Sequence, residues 1–222
     1  MNKTILAFDS SFSNCSVSLL YKNNVYSKKK ICSKNQTKYI LPMIKKILEV
    51  NTIKLHEIDI ITISKGPGNF IGIRTTIAIA QGIALGLNIP IVSFPAALIM
   101  AEQAWKIFDK KKILVIFKID DSRIYLMQYI KNQQQYWTKK KSKTILTLKE
   151  VINKLYILRT PWVIVGNCLE LFSKNIYKNL IFTNITTPQS EFIISLYLSH
   201  KCYRRCNFSK KIFPIYFQKE VY

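Results

Sequence analysis

The chain has 222 residues, of which 49% are apolar and 21% charged, and its formal net charge is +22. This composition is typical of a globular protein of one or two domains and excludes a disordered chain. Lys3 is followed by only five uncharged residues before Asp9, so we expect no secretory signal. Polar residues and prolines interrupt the longest uncharged stretch, 75–101, which argues against a membrane-spanning helix.

The strands and helices of the first half alternate after an opening set of three strands. Periods of two and of 3.6 residues in the apolar positions predict these elements. The predicted strands are 3–9, 14–21, 25–31, 58–64 and 89–93, and the predicted helices are 37–50, 70–87 and 95–106. Such an order favours a mixed sheet that is covered by helices.

The second half repeats this order more loosely after a lysine run at 110–112. The predicted strands are 113–119, 123–130, 134–138, 162–166 and 180–184, and the predicted helices are 147–158, a short one after 166, and 189–203. We therefore predict an α/β chain of two related lobes, 1–108 and 109–222, with a basic and aromatic tail that is a candidate to pack back on the first lobe. The aromatic residues of that tail are equally suited to stacking on single-stranded bases.

The positive charge has two explanations that the sequence leaves open. A basic protein is suited to bind nucleic acid or an anionic membrane surface. However, most of the cations are Lys rather than Arg, and Lys, Ile and Asn all have A/T-rich codons. A biased genome would enrich these residues without any function.

The cysteines and histidines do not predict a metal site or a disulfide framework. The five cysteines are odd in number and scattered, which suits a reducing cytoplasm. His200, Cys202 and Cys206 lie close together, but a zinc site needs a fourth ligand. Neither His56 nor His200 has an obvious partner acid at a useful spacing, and Asp120-Asp121 beside Arg123 is interpreted as a turn between strands. We expect no metal, no cofactor and no catalytic residue.

Glycines mark the segment with the strongest chemical pattern. Gly66, Gly68 and Gly72 join a predicted strand to a predicted helix, where backbone amides are able to approach an anion. Asp9 and Ser10 end the first strand and could belong to the same nucleotide site. The alternative is a tight turn packed against a neighbouring segment, with Asp9 capping its own backbone.

Two helices carry more apolar surface than one lobe should need. At about 100° per residue, the apolar residues of helix 37–50 span an arc of about 200°. In helix 70–87, Ala78, Gly82 and Gly86 form a stripe of small residues that permits close approach of another helix. We predict a partner interface with Met43, Ile44 and Ile47 facing outward and Leu41 and Leu48 facing inward. The complete predicted set is Tyr39, Ile40, Met43, Ile44, Ile47, Ala78, Gly82 and Gly86.

Four segments together resemble the TsaB family of tRNA threonylcarbamoyladenosine biosynthesis proteins. They read ILAFDSSFSNCSVSLL, QTKYILPMI, KGPGNFIGIRTTIAIAQGIALGL and IPIVSFPAALIMAEQAW. The resemblance implies the two-lobed actin-like ATPase fold, with a mixed sheet flanked by helices in each lobe. It also implies kinship with the catalytic paralogue TsaD, whose metal-binding histidines would align with Phe94 and Leu98 here. Neither side chain is able to ligate a metal.

The resemblance therefore implies a non-catalytic, cytoplasmic subunit that has no membrane attachment. It would support TsaD, together with the small ATPase TsaE, in threonylcarbamoylation of the adenosine 3′ of the anticodon in tRNAs that read codons beginning with A. It implies tRNA contact through the complex and self-pairing when the partner is absent. The alternatives are an actin-like phosphotransferase or ATPase that uses Asp9 and the glycine loop, and, less well supported, a metallopeptidase.

Overall fold

The computed structural model describes residues 3–32, 36–140, 145–172, 177–199 and 212–217. They form two compact units. The first comprises Met1–Ile99 and Pro188–Tyr216, and the second comprises Met100–Thr187 and Phe217–Tyr222. The division lies at Ile99 rather than at residue 108, and the chain returns to the first unit at Pro188. Local patterns do not reveal such a return, because it depends on which sheet face a distant helix covers.

The first unit is a five-stranded mixed sheet with helices on both faces. Its elements are β1 (Ile5–Asp9), β2 (Asn14–Tyr21), β3 (Asn24–Ile31), α1 (Gln36–Val50), β4 (Ile60–Ser64), α2 (Phe70–Leu87), β5 (Ile91–Phe94), the start of α3 (Ala96–Phe108), and α5 (Ser190–Ser199). The strand order is β3-β2-β1-β4-β5, with β1, β4 and β5 parallel. α1 and α2 cover one face, and α5 packs against β1, β2 and β4.

The second unit repeats this topology. Its elements are β6 (Lys112–Lys118), β7 (Ile124–Lys131), β8 (Trp137–Lys139), β9 (Ile145–Leu146), α4 (Leu148–Tyr156), β10 (Trp162–Gly166) and β11 (Leu180–Phe182). The strand order is β11-β10-β6-β7-β8, and β9 also pairs with β7. Both sheets thus extend an antiparallel set of three strands with two parallel strands, which confirms the predicted fold of two related α/β lobes.

Each sheet owes its core to the alternation of side chains along its strands. In β1, Leu6 and Phe8 point into the cluster under α1 and α2, together with alternate residues of β2. The second unit has a separate cluster built around Leu114, Ile116 and Ile164. The sequence missed β9, which has only two residues, and a single 3-10 turn at Leu55–Glu57.

Candidate functional site

Asp9 ends β1 with its carboxyl group buried. The Ser11 hydroxyl and the Ser11 backbone amide donate to Oδ1, at 2.6 and 3.2 Å. Oδ2 has no hydrogen-bond partner of good geometry among the described residues, although the nearby Ser64 hydroxyl lowers the carboxyl pKa somewhat. Burial outweighs these contacts and raises the pKa of Asp9 to about 6. Asp9 therefore caps its own turn, as the structural alternative predicts.

Ser10 ties the turn after β1 to the first turns of α2. Its hydroxyl donates to the Gly72 carbonyl at 3.0 Å and lies 2.8 Å from the Thr76 hydroxyl. Its backbone amide donates to the same Thr76 oxygen at 3.1 Å. The structure thus brings Asp9, Ser10 and the glycine loop together, as the sequence predicted. They meet through direct contacts within the chain.

The loop glycines are required by close backbone packing. A Cβ on Gly68 would collide with the Ser11 carbonyl oxygen, and a Cβ on Gly72 would collide with the Ser10 carbonyl oxygen. Gly66 has a φ of +91°, a conformation that favours glycine, and a Cβ there would meet the Ile215 carbonyl oxygen. Any side chain at these positions would push neighbouring backbone away, so the chain's own packing is sufficient to require all three glycines.

Three of the amides that an anion at the start of α2 would use are already engaged. The Asn69 side chain caps α2 and accepts from the amides of Ile71 and Gly72, at 3.0 and 3.2 Å. The Asn69 amide donates to the Ser11 carbonyl at 2.6 Å. A phosphate at this helix end would have to displace these bonds. The geometry favours the tight-turn interpretation over the nucleotide site.

Arg74 is the only charged residue of α2, and it fixes the tail of the first unit. Its guanidinium lies 3.7 Å from the centre of the Phe70 ring and donates from Nε to the Tyr216 hydroxyl at 2.9 Å. Phe70 and Tyr216 stack with ring centroids 5.4 Å apart. The charge is thereby held at one end of the helix.

The outer face of α2 is exposed and apolar and includes a stripe of three small residues. Ala78, Gly82 and Gly86 are exposed, and nothing lies within 4 Å of a Cβ built on either glycine. On the same face, Leu85 is 73% exposed and Ile71 is 62% exposed. We call these five residues the α2 face. By length and composition alone α2 could cross a membrane, but its other face packs on the sheet of the first unit, as a core helix does.

Helix α1 corrects part of the predicted interface. Ile44 and Ile47, predicted to face outward, are buried in the core of the first unit with Ile40, and Leu41, predicted to face inward, is 51% exposed. The middle of the 200° arc faces the sheet, and its two edges reach the surface. Tyr39 and Met43 are half-buried at one edge. The width of the arc was informative, but the sequence could not say which part of it packs on the sheet.

The positions aligned with metal ligands carry buried apolar side chains. Phe94 ends β5 and is fully buried, and Leu98 lies buried in the first turn of α3. Within the described residues, no group of three His, Cys, Asp or Glu side chains is arranged to hold a metal ion. His200, Cys202 and Cys206 lie outside those residues. Asp120 accepts from the Ser122 and Arg123 amides, which confirms the predicted turn.

A buried ionic cluster in the second unit was not predicted. The Lys131 ammonium and the Trp137 indole each donate to Glu102 Oε2 at 2.7 Å, and the side chains of Lys131 and Glu102 are fully buried. The ammonium lies 3.5 Å from the centre of the Trp105 ring. Burial lowers the pKa of Lys131 against the opposing effect of Glu102. The lone acid among the apolar residues of α3 was the available sign of this cluster.

The chain is similar to proteins of tRNA threonylcarbamoyladenosine synthesis. Residues 20–158 match the family model described as TsaD, tRNA N6-adenosine threonylcarbamoyltransferase. The chain is 46% identical over 97% of its length to the tRNA threonylcarbamoyladenosine biosynthesis protein TsaB of Buchnera aphidicola subsp. Baizongia pistaciae, of which 98% is covered. It is 27% identical over 99% of its length to TsaB of Haemophilus influenzae, of which 95% is covered.

Solved structures agree with the fold. YeaZ from Pseudomonas aeruginosa superposes with a TM-score of 0.79 at 22% identity, covering 96% of this chain and all of that one. A second Pseudomonas aeruginosa structure, titled as a protein with similarity to peptidase YeaZ, gives a TM-score of 0.81 at 21% identity, covering 97% and 100% of the two chains. The full-length sequence match to the Buchnera relative is therefore accompanied by a matching fold, and the chain belongs to the TsaB family of tRNA threonylcarbamoyladenosine biosynthesis proteins.

Proposed function

We propose that the chain is a non-catalytic, cytoplasmic subunit of tRNA threonylcarbamoyladenosine synthesis that binds a catalytic paralogue of the TsaD type. A TsaE-like ATPase and the tRNA would join the same complex, and the chain would pair with itself when the paralogue is absent. The transfer reaction would modify the adenosine 3′ of the anticodon. The single observation that carries the proposal is the α2 face.

The α2 face has the properties of a helix-packing surface. An exposed apolar surface on a folded unit marks a site of association. Small residues at four-residue spacing let a second helix approach closely enough for wide backbone contact. Because Gly82 and Gly86 have empty space around them, no part of the described chain fills this groove.

The absence of a catalytic role is supported by the two places where chemistry would be expected. Phe94 and Leu98 offer no metal ligand where the paralogue is expected to have one. The Asn69 side chain caps the amides of Ile71 and Gly72, so these two donors are not available to an anion at the glycine loop. Both features favour a subunit that acts by binding.

The test is capture of the catalytic paralogue from the same organism by the full chain. Leu85→Glu is the test variant, because Leu85 is 73% exposed and the isolated chain should tolerate the charge. In an apolar contact the carboxylate would be desolvated without a partner, at a cost of about 3–5 kcal/mol. A cost of this size corresponds to a loss of affinity of more than about 100-fold, and we expect capture of the paralogue to fall accordingly. Gly82→Leu should block the same contact sterically.

The matched control is Ile31→Glu, which adds the same charge at an isoleucine of β3 that is 81% exposed. It should capture the paralogue as the wild type does. Circular dichroism verifies that each variant is folded. A folded Leu85→Glu variant that captures the paralogue normally would place the interface elsewhere.

A further inference from the structure

Lysines gather at one end of the sheet of the second unit. The backbone amide of Lys131, at the end of β7, donates to the carbonyl of Lys111 at 2.8 Å, just before β6 begins. Lys139 of β8 pairs with Tyr129, which pairs in turn with Ile113 of β6. Because neighbouring strands lie about 4.8 Å apart, the backbones of Lys112 in β6 and Lys139 in β8 are about 10 Å from each other. The lysine end comprises Lys106, Lys110, Lys111, Lys112, Lys139 and Lys140.

The charges of the lysine end lack carboxylate partners. In the part of the chain that the structure describes, none of the six forms an ion pair: Lys112 donates to the Thr160 hydroxyl at 3.0 Å, and Lys106 lies 4.6 Å from the centre of the Trp105 ring. The opposite end of β6 differs, because there Lys118 pairs with Asp121 at 2.7 Å. All of the lysine end is exposed except the half-buried Lys112.

The lysine end rests on a rigid support. Glu102 of α3 accepts from Lys131 of β7 and from Trp137 of β8, so one buried carboxylate links three elements. Trp105 packs over the same ammonium. This cluster ties α3 to β7 and to β8, the strand that carries Lys139. A preordered surface loses less conformational entropy when it binds.

Acids are sparse in this part of the sequence. Only Asp109 lies among the lysines between residues 106 and 112. Exposed aromatic side chains accompany them, with Phe108 and Tyr136 each 36% exposed. Lysines with aromatic side chains are suited to phosphates and unstacked bases.

We propose that the lysine end is an RNA-contact surface that binds tRNA phosphates without reading base sequence. The proposal rests on the proposed function only in taking tRNA as the polyanion. Lysines neutralise phosphates and release counterions, so affinity should fall steeply with salt. Such contacts orient an RNA but do not select its sequence. This subunit would then help to hold the tRNA that the catalytic paralogue modifies.

The experiment measures tRNA binding by the full chain with fluorescence anisotropy at several salt concentrations. The test variant carries Lys→Gln at Lys110, Lys111, Lys139 and Lys140. The control variant carries Lys→Gln at Lys22, Lys38, Lys46 and Lys54, which are exposed on the first unit. Both variants lose the same net charge, so any difference reports position rather than total charge.

We expect the test variant to bind tRNA at least about 10-fold more weakly, with the log–log salt slope reduced by about 3, since each lost phosphate contact contributes about 0.7–0.9. The control should lose less than about 3-fold, and an unrelated tRNA should give the same result. The proposal is overturned by equal losses in both variants, by unchanged binding of the test variant, or by no wild-type binding at low salt. It is also overturned if the test variant loses binding to phosphatidylserine vesicles but not to tRNA.

The result is separable from the interface proposal. The lysine variants are measured without the paralogue, whereas Leu85→Glu is measured by capture of the paralogue. A test variant that loses tRNA but still captures the paralogue supports the lysine end alone. A failure of Leu85→Glu to reduce capture leaves the tRNA measurement unaffected.

Discussion

Gly82 and Gly72 lie in the same helix, and replacing each by alanine should change stability in opposite directions. At Gly82 nothing lies within 4 Å of an added Cβ. The methyl group therefore meets no obstacle in the isolated chain, and alanine loses less backbone entropy than glycine when the helix forms. In an exposed helix interior this gain is about 0.5–1 kcal/mol.

At Gly72 the same methyl group would collide with the Ser10 carbonyl oxygen, and the Cα of Ser11 lies 3.4 Å away. Relief requires the turn after β1 to move, although the Ser10 hydroxyl donates to Gly72 and that turn is buried. Overpacking of this kind costs about 1–3 kcal/mol, which exceeds any helical gain. The expected difference between the two variants is therefore about 1.5–4 kcal/mol.

The Tm of each variant is measured by thermal unfolding, with circular dichroism as the signal. For a chain of this size, Gly82→Ala should raise Tm by about 1–4 °C, and Gly72→Ala should lower it by a similar or larger amount. At a concentration at which the chain is monomeric, a fall in Tm for Gly82→Ala would mean that the outer side of α2 is packed within the isolated chain, and the interface proposal would lose its basis. A neutral Gly72→Ala would refute the close-packing explanation of the glycine loop.

Two further predictions concern buried charges. The pKa of Asp9 rises from 3.8 to about 6 on folding, so the folded state binds the proton more tightly than the unfolded state. The free energy of unfolding should therefore fall by about 3 kcal/mol in all as the pH rises from about 4 to 6. In urea denaturation, the free energy of unfolding of Asp9→Asn should exceed that of the wild type by about this amount at pH 7.5 and should equal it near pH 4. A gain that does not depend on pH would contradict the raised pKa of Asp9. Lys131→Met should lower the free energy of unfolding by about 3–5 kcal/mol because it removes the ammonium that neutralises the buried Glu102 carboxylate. The double variant with Glu102→Gln should cost less than the sum of the single changes, whereas additive losses would show that the two groups are not coupled.

The sequence determined the local elements well where periodicity was strong. The residue bounds of β2 and β10 agree with the prediction, and the bounds of α2 agree with those of the predicted helix 70–87. These segments bury one face or both, so selection of apolar residues leaves a readable period. The two-residue β9 leaves no such period, and the sequence missed it.

The sequence also identified the right segments of the candidate site, but it could not decide their roles. The spacing of Gly66, Gly68 and Gly72 is compatible with an anion cradle and with close packing, because both need backbone without side chains. Only the positions of the Ser10 and Ser11 carbonyls, brought from a segment about sixty residues away in the chain, favour packing.

Tertiary structure likewise decided which surfaces are free. The apolar arc of α1 has the same width whichever part faces the sheet. The way in which α1 packs on β2 is what buries Ile40, Ile44 and Ile47 in the core. The same principle applies to Glu102 and Lys131, which are 29 residues apart and form an ion pair only because α3 packs beside β7. Local sequence sets the periodicity and chemistry of each element, whereas burial and pairing depend on contacts between segments that are distant in the chain.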